Sequence, residues 1–202
     1  IVRRRLTRQD LHLIPSQAVL VASTGVIGMQ LPMDRLRAGI GAMVPKLEDT
    51  RQAAAAAAQA IMTTDTHKKE AAVTFTVDGK TVTVGGMSKG SGMIHPNMCT
   101  MLAFITTDLA ISHELLQEAL SSVVDDTYNM ISVDGDTSTN DTALLLANGL
   151  AGNPEITEEN EDYETFVKAL YQVNETLGKD HGRGRRGRDR SFRVQGPSMR
   201  NP

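Results

Sequence analysis

The most constraining feature of the sequence is an alternating stretch that an Asp-Gly pair divides into two halves. Residues 72–77 alternate between apolar side chains and threonine, Asp78-Gly79 follows, and residues 80–84 alternate again. Side chains along a strand point alternately to opposite faces, and Asp-Gly is a preferred two-residue hairpin turn. The stretch therefore predicts a β-hairpin, and the remaining elements must cover its apolar face.

Further segments on both sides of the hairpin predict a mixture of helices and strands. Ser112 is a good N-cap for one of the helices. Helices are predicted over residues 32–44, 47–62, 112–124, 142–150 and 163–177, and strands over 17–23, 100–107 and 128–133. This alternation around a central hairpin favours an α/β or α+β domain with a mixed sheet.

The composition argues against several classes of protein. The 202 residues suffice for one domain, and 40% of them are apolar, although aromatic residues make up 3% and tryptophan is absent. A net charge of -3 argues against a dedicated nucleic-acid binder, and no apolar run reaches the roughly 18 residues of a membrane span. The single cysteine excludes an internal disulfide and fits a reducing compartment. We therefore expect a cytoplasmic protein, and the absence of an initial methionine suggests a fragment or a processed chain.

The candidate reactive segment runs from Lys89 to Leu102. A cation opens a glycine-rich turn, His95-Pro96-Asn97 disfavours a helix or a central strand, and Cys99-Thr100 precedes an apolar run. A threonine at this junction is usually a structural strand-start residue. It can also act as a nucleophile if the preceding bond is cut, because its own α-amino group, with a pKa of about 7.7–8.0, then serves as the base. The residues alone leave both interpretations open.

Two smaller hydroxyl clusters also have a structural and a functional interpretation. Thr24-Gly25 follows a predicted strand and can form a simple turn, or it can offer a hydroxyl and a backbone N–H to an anion. Thr63-Thr64 can cap a helix end or bind a substrate. The acidic loop over residues 134–141 lacks the spacing and the terminal Glu of a calcium loop, so we expect no metal there.

Three segments resemble, in the right order, motifs of the glutamate N-acetyltransferase (ornithine acetyltransferase) family of arginine biosynthesis. Residues 89–107, KGSGMIHPNMCTMLAFITT, are similar to the self-cleavage region of that family. Residues 19–28 resemble its oxyanion-hole strand, and residues 132–149 resemble a motif of its second chain. The resemblance extends from about residue 18 to residue 180.

The resemblance implies an acetyltransferase that moves an acetyl group from N2-acetylornithine to glutamate through an acetyl-threonine, without a cofactor. Some members of the family also accept acetyl-CoA. Thr100 would be the nucleophile after autocleavage of the Cys99–Thr100 bond, where the family most often has alanine in place of the cysteine. Alternative interpretations are an amidase or aminopeptidase with the same type of nucleophile, or an inactive fragment.

The resemblance also assigns roles to the two hydroxyl clusters and to the lysine. The Thr24 hydroxyl and the Gly25 N–H would form the oxyanion hole. Lys89 would contact the substrate, as would Thr63 or Thr64.

The resemblance further implies an α-β-β-α sandwich with mixed sheets, here incomplete. Residues 1–99 would form the C-terminal part of an α chain and residues 100–180 the N-terminal part of a β chain, with the two chains assembled as a heterotetramer. The expected partners are small-molecule substrates, with neither nucleic acid nor membrane among them.

The segment over residues 181–202 departs from the family. It is rich in glycine and arginine, and Arg186 stands where the family has a substrate-contacting glutamate. Plausible codons for residues 181–187, read one base later, would encode the family's Met-Ala-Gly-Asp-Gly-Glu segment. We therefore expect a non-native or disordered tail, and the alternative is a basic arm that binds nucleic acid.

Overall fold

The computed structural model describes residues 15–25, 28–90, 101–130 and 140–183. Short 3-10 turns lie at Ser16–Ala18, Val44–Lys46 and Tyr128–Met130. The helices are α1 (Met33–Met43), α2 (Arg51–Ala60), α3 (His113–Asp126) and α4 (Glu161–Arg183), and the strands are β1 (Lys69–Val77), β2 (Lys80–Lys89), β3 (Leu102–Thr107) and β4 (Thr142–Ala147).

The four strands form one mixed sheet in the order β1-β2-β3-β4, which confirms the predicted hairpin and the predicted class. Asp78 and Gly79 both have positive φ, at 45° and 71°, as the tight hairpin turn requires. Strand β2 pairs antiparallel with β3, so that Lys89 lies opposite Leu102. Strand β3 pairs in parallel with β4, and Leu102 is aligned with Thr142.

Helix α4 packs across β1 and β2 and builds much of the core. Its side chains Phe166, Leu170 and Leu177 are fully buried. The ring of Phe166 lies 6.3 Å from the ring of Phe75 on β1. A Cβ atom on Gly86 would come within 3.2 Å of Leu177 Cδ1, so a glycine at this position of β2 lets the helix approach closely.

Four predicted helices are present with shifted ends. Helix α3 begins where expected, because the Ser112 hydroxyl accepts a hydrogen bond from Leu115 N–H. Helix α2 has a cap of the same kind, in which the Thr50 hydroxyl accepts from Ala53 N–H at 3.0 Å. Helix α1 buries none of its side chains, although its sequence is amphipathic. None of the described helices is both long and apolar enough to cross a membrane.

Three local predictions were wrong. Residues 142–150 were predicted as a helix, but Thr142–Ala147 form strand β4, because a short apolar run fits either structure and β3 offers an edge to pair with. Residues 17–23 form no strand, and Val21 is 83% exposed instead of buried. Tyr128–Met130 form a 3-10 turn that continues the end of α3 through a Met130 N–H to Thr127 carbonyl bond, and the rest of that predicted strand lies outside the described residues.

Other predictions stay as predictions. The described ranges contain one sheet, so the second sheet of the sandwich is untested. The boundary between the two chains at residues 99 and 100 lies outside the described residues. Helix α4 carries its backbone to Arg183, into the segment that was predicted to be a tail, and residues 184–202 lie outside the described part of the chain.

Candidate functional site

A buried lysine at the end of β2 brings two distant hydroxyl groups together. Lys89 is 3% exposed. Its ammonium donates to Thr63 Oγ1 at 3.2 Å and to Thr24 Oγ1 at 3.4 Å. These partners precede it by 26 and 65 residues, so the fold alone unites them. Three of the residues singled out from the sequence therefore share one cluster, and the hydroxyl that accepts from Lys89 is that of Thr63 rather than Thr64.

A carboxylate that the sequence reasoning missed organises the other side of this cluster. Asp65 Oδ1 accepts a hydrogen bond from Gly90 N–H at 2.8 Å, and Asp65 Oδ2 accepts from Thr63 N–H at 3.2 Å. Asp65 Oδ1 also bonds to the ammonium of Lys69, at the start of β1. Both side chains of this ion pair are fully buried. Asp65 thus contacts the backbone of Thr63, whose hydroxyl accepts from Lys89, and the backbone of Gly90, which follows Lys89 in the chain.

The sequence contained one signal that could have revealed this ion pair. Lys69 opens an alternating strand, four residues after an aspartate that follows a threonine pair. A lysine is rarely fully buried unless a charged partner accompanies it. The pairing of Lys69 with Ser88 in the sheet register carries its side chain towards the end of β2.

The charges of the cluster are set by burial and by their mutual contacts. Burial lowers the pKa of Lys89 below its ordinary value, the carboxylates of Asp65 and Asp141 oppose that change, and the ammonium of Lys69 adds to it. Burial by itself would raise the pKa of Asp65, but the hydrogen bonds from Lys69, Gly90 and Thr63 outweigh it, so that the pKa of Asp65 is lowered. Asp65 is therefore a carboxylate near neutral pH.

A second carboxylate lies at the start of β4. Asp141 Oδ1 accepts a hydrogen bond from Met101 N–H at 2.8 Å, and Thr142 N–H donates to the Met101 carbonyl at 3.0 Å. Met101 is covalently bonded to Thr100. Asp141 thus contacts the backbone beside the threonine that the sequence singled out, and it also acts electrostatically on Lys89.

The remaining predicted site residues divide into two groups. Gly25 is described and exposed, next to the half-buried Thr24, and Thr64 is exposed beside Thr63. Cys99 and Thr100 lie outside the described residues, so their predicted roles stay predictions. Among the described residues, no group of three or more His, Cys, Asp or Glu side chains could hold a metal ion.

The arrangement can bind an anionic or carbonyl oxygen. An ammonium group and two hydroxyls converge at the end of β2, where the chain leaves the strand. A partly desolvated ammonium makes stronger hydrogen bonds than one in water, since the local dielectric constant is lower. The cluster is therefore rich in hydrogen-bond donors, and it lies at the end of β2, where the chain continues into the segment that contains Thr100.

Comparison with known proteins gives one consistent family. The ArgJ family model matches residues 3–195. Two similar curated proteins are named arginine biosynthesis bifunctional protein ArgJ. The one from Geobacillus kaustophilus is 54% identical over 177 residues, which are 88% of this chain and 43% of the relative. The one from Symbiobacterium thermophilum is 51% identical over 191 residues, 95% of this chain and 47% of the relative.

A solved structure is also similar in part. The crystal structure of arginine biosynthesis bifunctional protein ArgJ from Bacillus halodurans has 51% sequence identity and a TM-score of 0.38, and the match covers 40% of this chain and 38% of that chain. The chain spans less than half the length of the curated relatives named above.

Proposed function

The chain belongs to the ArgJ family, and on that premise we propose that it carries the nucleophile of a glutamate N-acetyltransferase that takes acetyl groups from N2-acetylornithine. The observation that supports this most directly is the contact of Lys89 with Thr24 and Thr63. These three residues hold the positions that the family resemblance assigns to the substrate site and the oxyanion hole. They meet where β2 leads into the segment that contains Thr100.

The proposed reaction begins with autocleavage. The Thr100 hydroxyl attacks the Cys99 carbonyl, the Cys99–Thr100 amide is exchanged for an ester, and water hydrolyses the ester. The exchange of amide for ester frees the α-amino group of Thr100, and hydrolysis of the ester then releases the Cys99 carboxylate and the Thr100 hydroxyl. That amine titrates near neutral pH, as an efficient general base must.

Acetyl transfer then proceeds in two steps that conserve the acyl group. The Thr100 amine takes the hydroxyl proton as the oxygen attacks the acetyl carbonyl of N2-acetylornithine, and ornithine leaves with that proton. The α-amine of glutamate attacks the acetyl ester and regenerates the Thr100 hydroxyl. The Thr24 hydroxyl and the Gly25 N–H stabilise the oxyanion that forms in each step.

Lys89 and Thr63 are proposed to hold the substrate. N2-acetylornithine and glutamate both carry an α-carboxylate, and an ammonium with a neighbouring hydroxyl is a suitable donor set for it. The two donors come from β2 and from the loop before β1 and meet in one hydrogen bond, so both substrates can use one carboxylate site in turn.

The assembly of the protein is proposed from the family as well. The two products of cleavage stay together as a heterotetramer in the cytoplasm, and acetyl-CoA is a second acetyl donor. Light scattering on the purified protein measures the assembly, and release of free CoA from acetyl-CoA tests the second donor.

The proposal is tested by the intact mass of the purified protein together with a product assay. We expect two species that divide at Thr100, and N-acetylglutamate formed from N2-acetylornithine and glutamate. Thr100→Ala should remain one chain without activity, whereas Thr106→Ala, which removes an exposed threonine of β3, should behave as wild type. An uncleaved wild-type chain that still acetylates glutamate would refute the role of Thr100. Acetate release without N-acetylglutamate would instead indicate an amidase.

A further inference from the structure

Two aspartates contact the two ends of the connection between β2 and β3. Strands β2 and β3 are neighbours, and Lys89 lies opposite Leu102 at the end of their pairing. Beyond this pair, Gly90 N–H donates to Asp65 Oδ1 at 2.8 Å, and Met101 N–H donates to Asp141 Oδ1 at 2.8 Å. The residues at the two ends of the connection, Gly90 and Met101, are therefore each hydrogen-bonded to a carboxylate.

The two carboxylates come from different parts of the chain. Asp65 belongs to the loop between α2 and β1 and precedes Gly90 by 25 residues. Asp141 immediately precedes β4 and follows Met101 by 40 residues. Gly90 and Met101 thus each donate to a carboxylate from another part of the chain, and hydrogen bonds to an ionised acceptor are about twice as strong as bonds between neutral groups.

The backbone at one of these ends needs a glycine. Gly90 has a φ of 141°, a conformation that other residues rarely adopt, and it is buried. Asp65 is itself held by the buried Lys69. The position of the Gly90 amide is thus determined by a rigid group rather than by a surface side chain.

The same carboxylates also act on the substrate side of the cluster. Asp65 accepts from the backbone of Thr63, whose hydroxyl accepts from Lys89. Both Asp65 and Asp141 attract the Lys89 ammonium, which also feels repulsion from Lys69. One pair of aspartates therefore links the substrate-binding donors to both ends of the segment that contains Thr100.

We propose that Asp65 and Asp141 are positioning residues: Asp65 fixes the backbone of Gly90 and Thr63 beside Lys89, and Asp141 fixes the backbone of Met101, the residue that is bonded to Thr100. This inference rests on the proposed function of Thr100. Neither aspartate needs to touch the acetyl group, since each acts through a backbone amide. A small misplacement of a reacting group can cost about a hundredfold in rate, so loss of either bond should slow both autocleavage and acetyl transfer.

The chain contains a matched control for this proposal. Asp108 Oδ1 accepts a hydrogen bond from Thr83 N–H at 2.7 Å, beyond the opposite end of β3. The bond is of the same kind, a backbone N–H that donates to a carboxylate, and it joins β2 to the residue after β3. It lies about 24 Å from Gly90 and Met101 along the sheet, seven residues at roughly 3.4 Å per residue. Asp108→Ala should therefore remove a comparable bond without disturbing the site.

The experiment compares Asp65→Ala, Asp141→Ala and Asp108→Ala in the whole protein. We expect Asp65→Ala and Asp141→Ala to slow autocleavage, which is measured by intact mass, and to lower the kcat of acetyl transfer, each by about 10- to 100-fold. Asp108→Ala should stay within about twofold of wild type. The variants Asp65→Asn and Asp141→Asn keep an acceptor oxygen and should recover part of the lost rate, and they maintain the comparison if an alanine variant does not fold.

Amide hydrogen exchange supplies a measurement that does not depend on catalysis. Gly90 should exchange at least about tenfold faster in Asp65→Ala, and Met101 in Asp141→Ala, whereas Thr83 should respond to Asp108→Ala alone. Exchange rates that do not change at Gly90 and Met101 overturn the inference, as does equal slowing of the chemistry in the Asp108 variant. If the wild-type protein neither cleaves nor transfers acetyl groups, the proposed function fails, and the exchange rates still decide whether the two carboxylates hold the ends.

Discussion

Replacement of Lys89 by methionine should abolish substrate binding and yet leave the fold at least as stable. The side chain is 3% exposed, and its ammonium makes two rather long hydrogen bonds, of 3.2 and 3.4 Å. Their loss should cost about 1–3 kcal/mol in total, at about 0.5–1.5 kcal/mol each. Removal of a desolvated ammonium returns several kcal/mol, on the order of the penalty for burying an ion. We expect the free energy of unfolding of Lys89→Met to be about 0 to 3 kcal/mol higher than that of wild type at neutral pH.

The pH dependence of this difference has a definite sign. The pKa of Lys89 is lower in the folded protein than the ordinary lysine value of 10.5, because of burial. Between the two values the unfolded chain binds more protons, so the free energy of unfolding of wild type rises with pH in that window. Lys89→Met lacks this titration, and its advantage should shrink as the pH is raised towards about 10.5.

Lys69→Met is the matched control, because Lys69 is also a buried lysine close to Asp65. Its loss removes the ion-pair partner of a fully buried carboxylate, and we expect it to destabilise the protein by about 3–5 kcal/mol. Urea unfolding at about pH 7 and pH 10, in a Thr100→Ala background that keeps the chain intact, measures both effects. A loss of more than about 2 kcal/mol in Lys89→Met, or the same loss in both variants, would refute the reasoning. The acetyl-transfer assay, in the background with Thr100, should show activity lost in Lys89→Met.

Three further predictions follow from single contacts. Thr24→Ala should lower the kcat of acetyl transfer by about 10²–10³-fold, as for other lost oxyanion donors, with little change in the thermal midpoint; a loss below about tenfold would argue against that role. Phe166→Ala should lower the free energy of unfolding by about 3–5 kcal/mol, because the ring is fully buried under the sheet; a urea titration that gives less than about 1 kcal/mol would contradict this packing. Gly86→Val should cost about 1–3 kcal/mol by overpacking, because a Cβ there lies 3.1 Å from the Phe104 carbonyl oxygen and 3.2 Å from Leu177; Gly85→Ala, with a nearest contact of 3.4 Å, should be tolerated better in the same thermal scan.

The hairpin and most helices could be predicted because their signals are local. Asp78-Gly79 allows the positive φ angles of the turn, and alternation on either side defines the two faces of the strands. Ser112 likewise caps the helix that follows it, through a bond three residues away. Each of these signals acts over a few residues, so the sequence contains the whole interaction.

The type of the element at Thr142–Ala147 could not be predicted in this way. Its apolar run has no period that separates a helix from a strand. The edge of β3 favours a strand at Thr142–Ala147, because parallel pairing there satisfies the backbone hydrogen-bonding groups of both segments. The opposite error arose over residues 17–23, whose apolar character predicted burial that the fold does not provide.

The candidate site divides along the same line. The sequence by itself determined the candidates, since Lys89, Thr24 and the Thr63-Thr64 pair were singled out by their resemblance to motifs of the family. Only the tertiary structure decided that one ammonium contacts both hydroxyls, and that Asp65 and Asp141 hold the backbone on either side of the segment over residues 91–100. These bonds join groups that are 25 to 65 residues apart, and contacts of that kind exist once the sheet has brought its strand ends together.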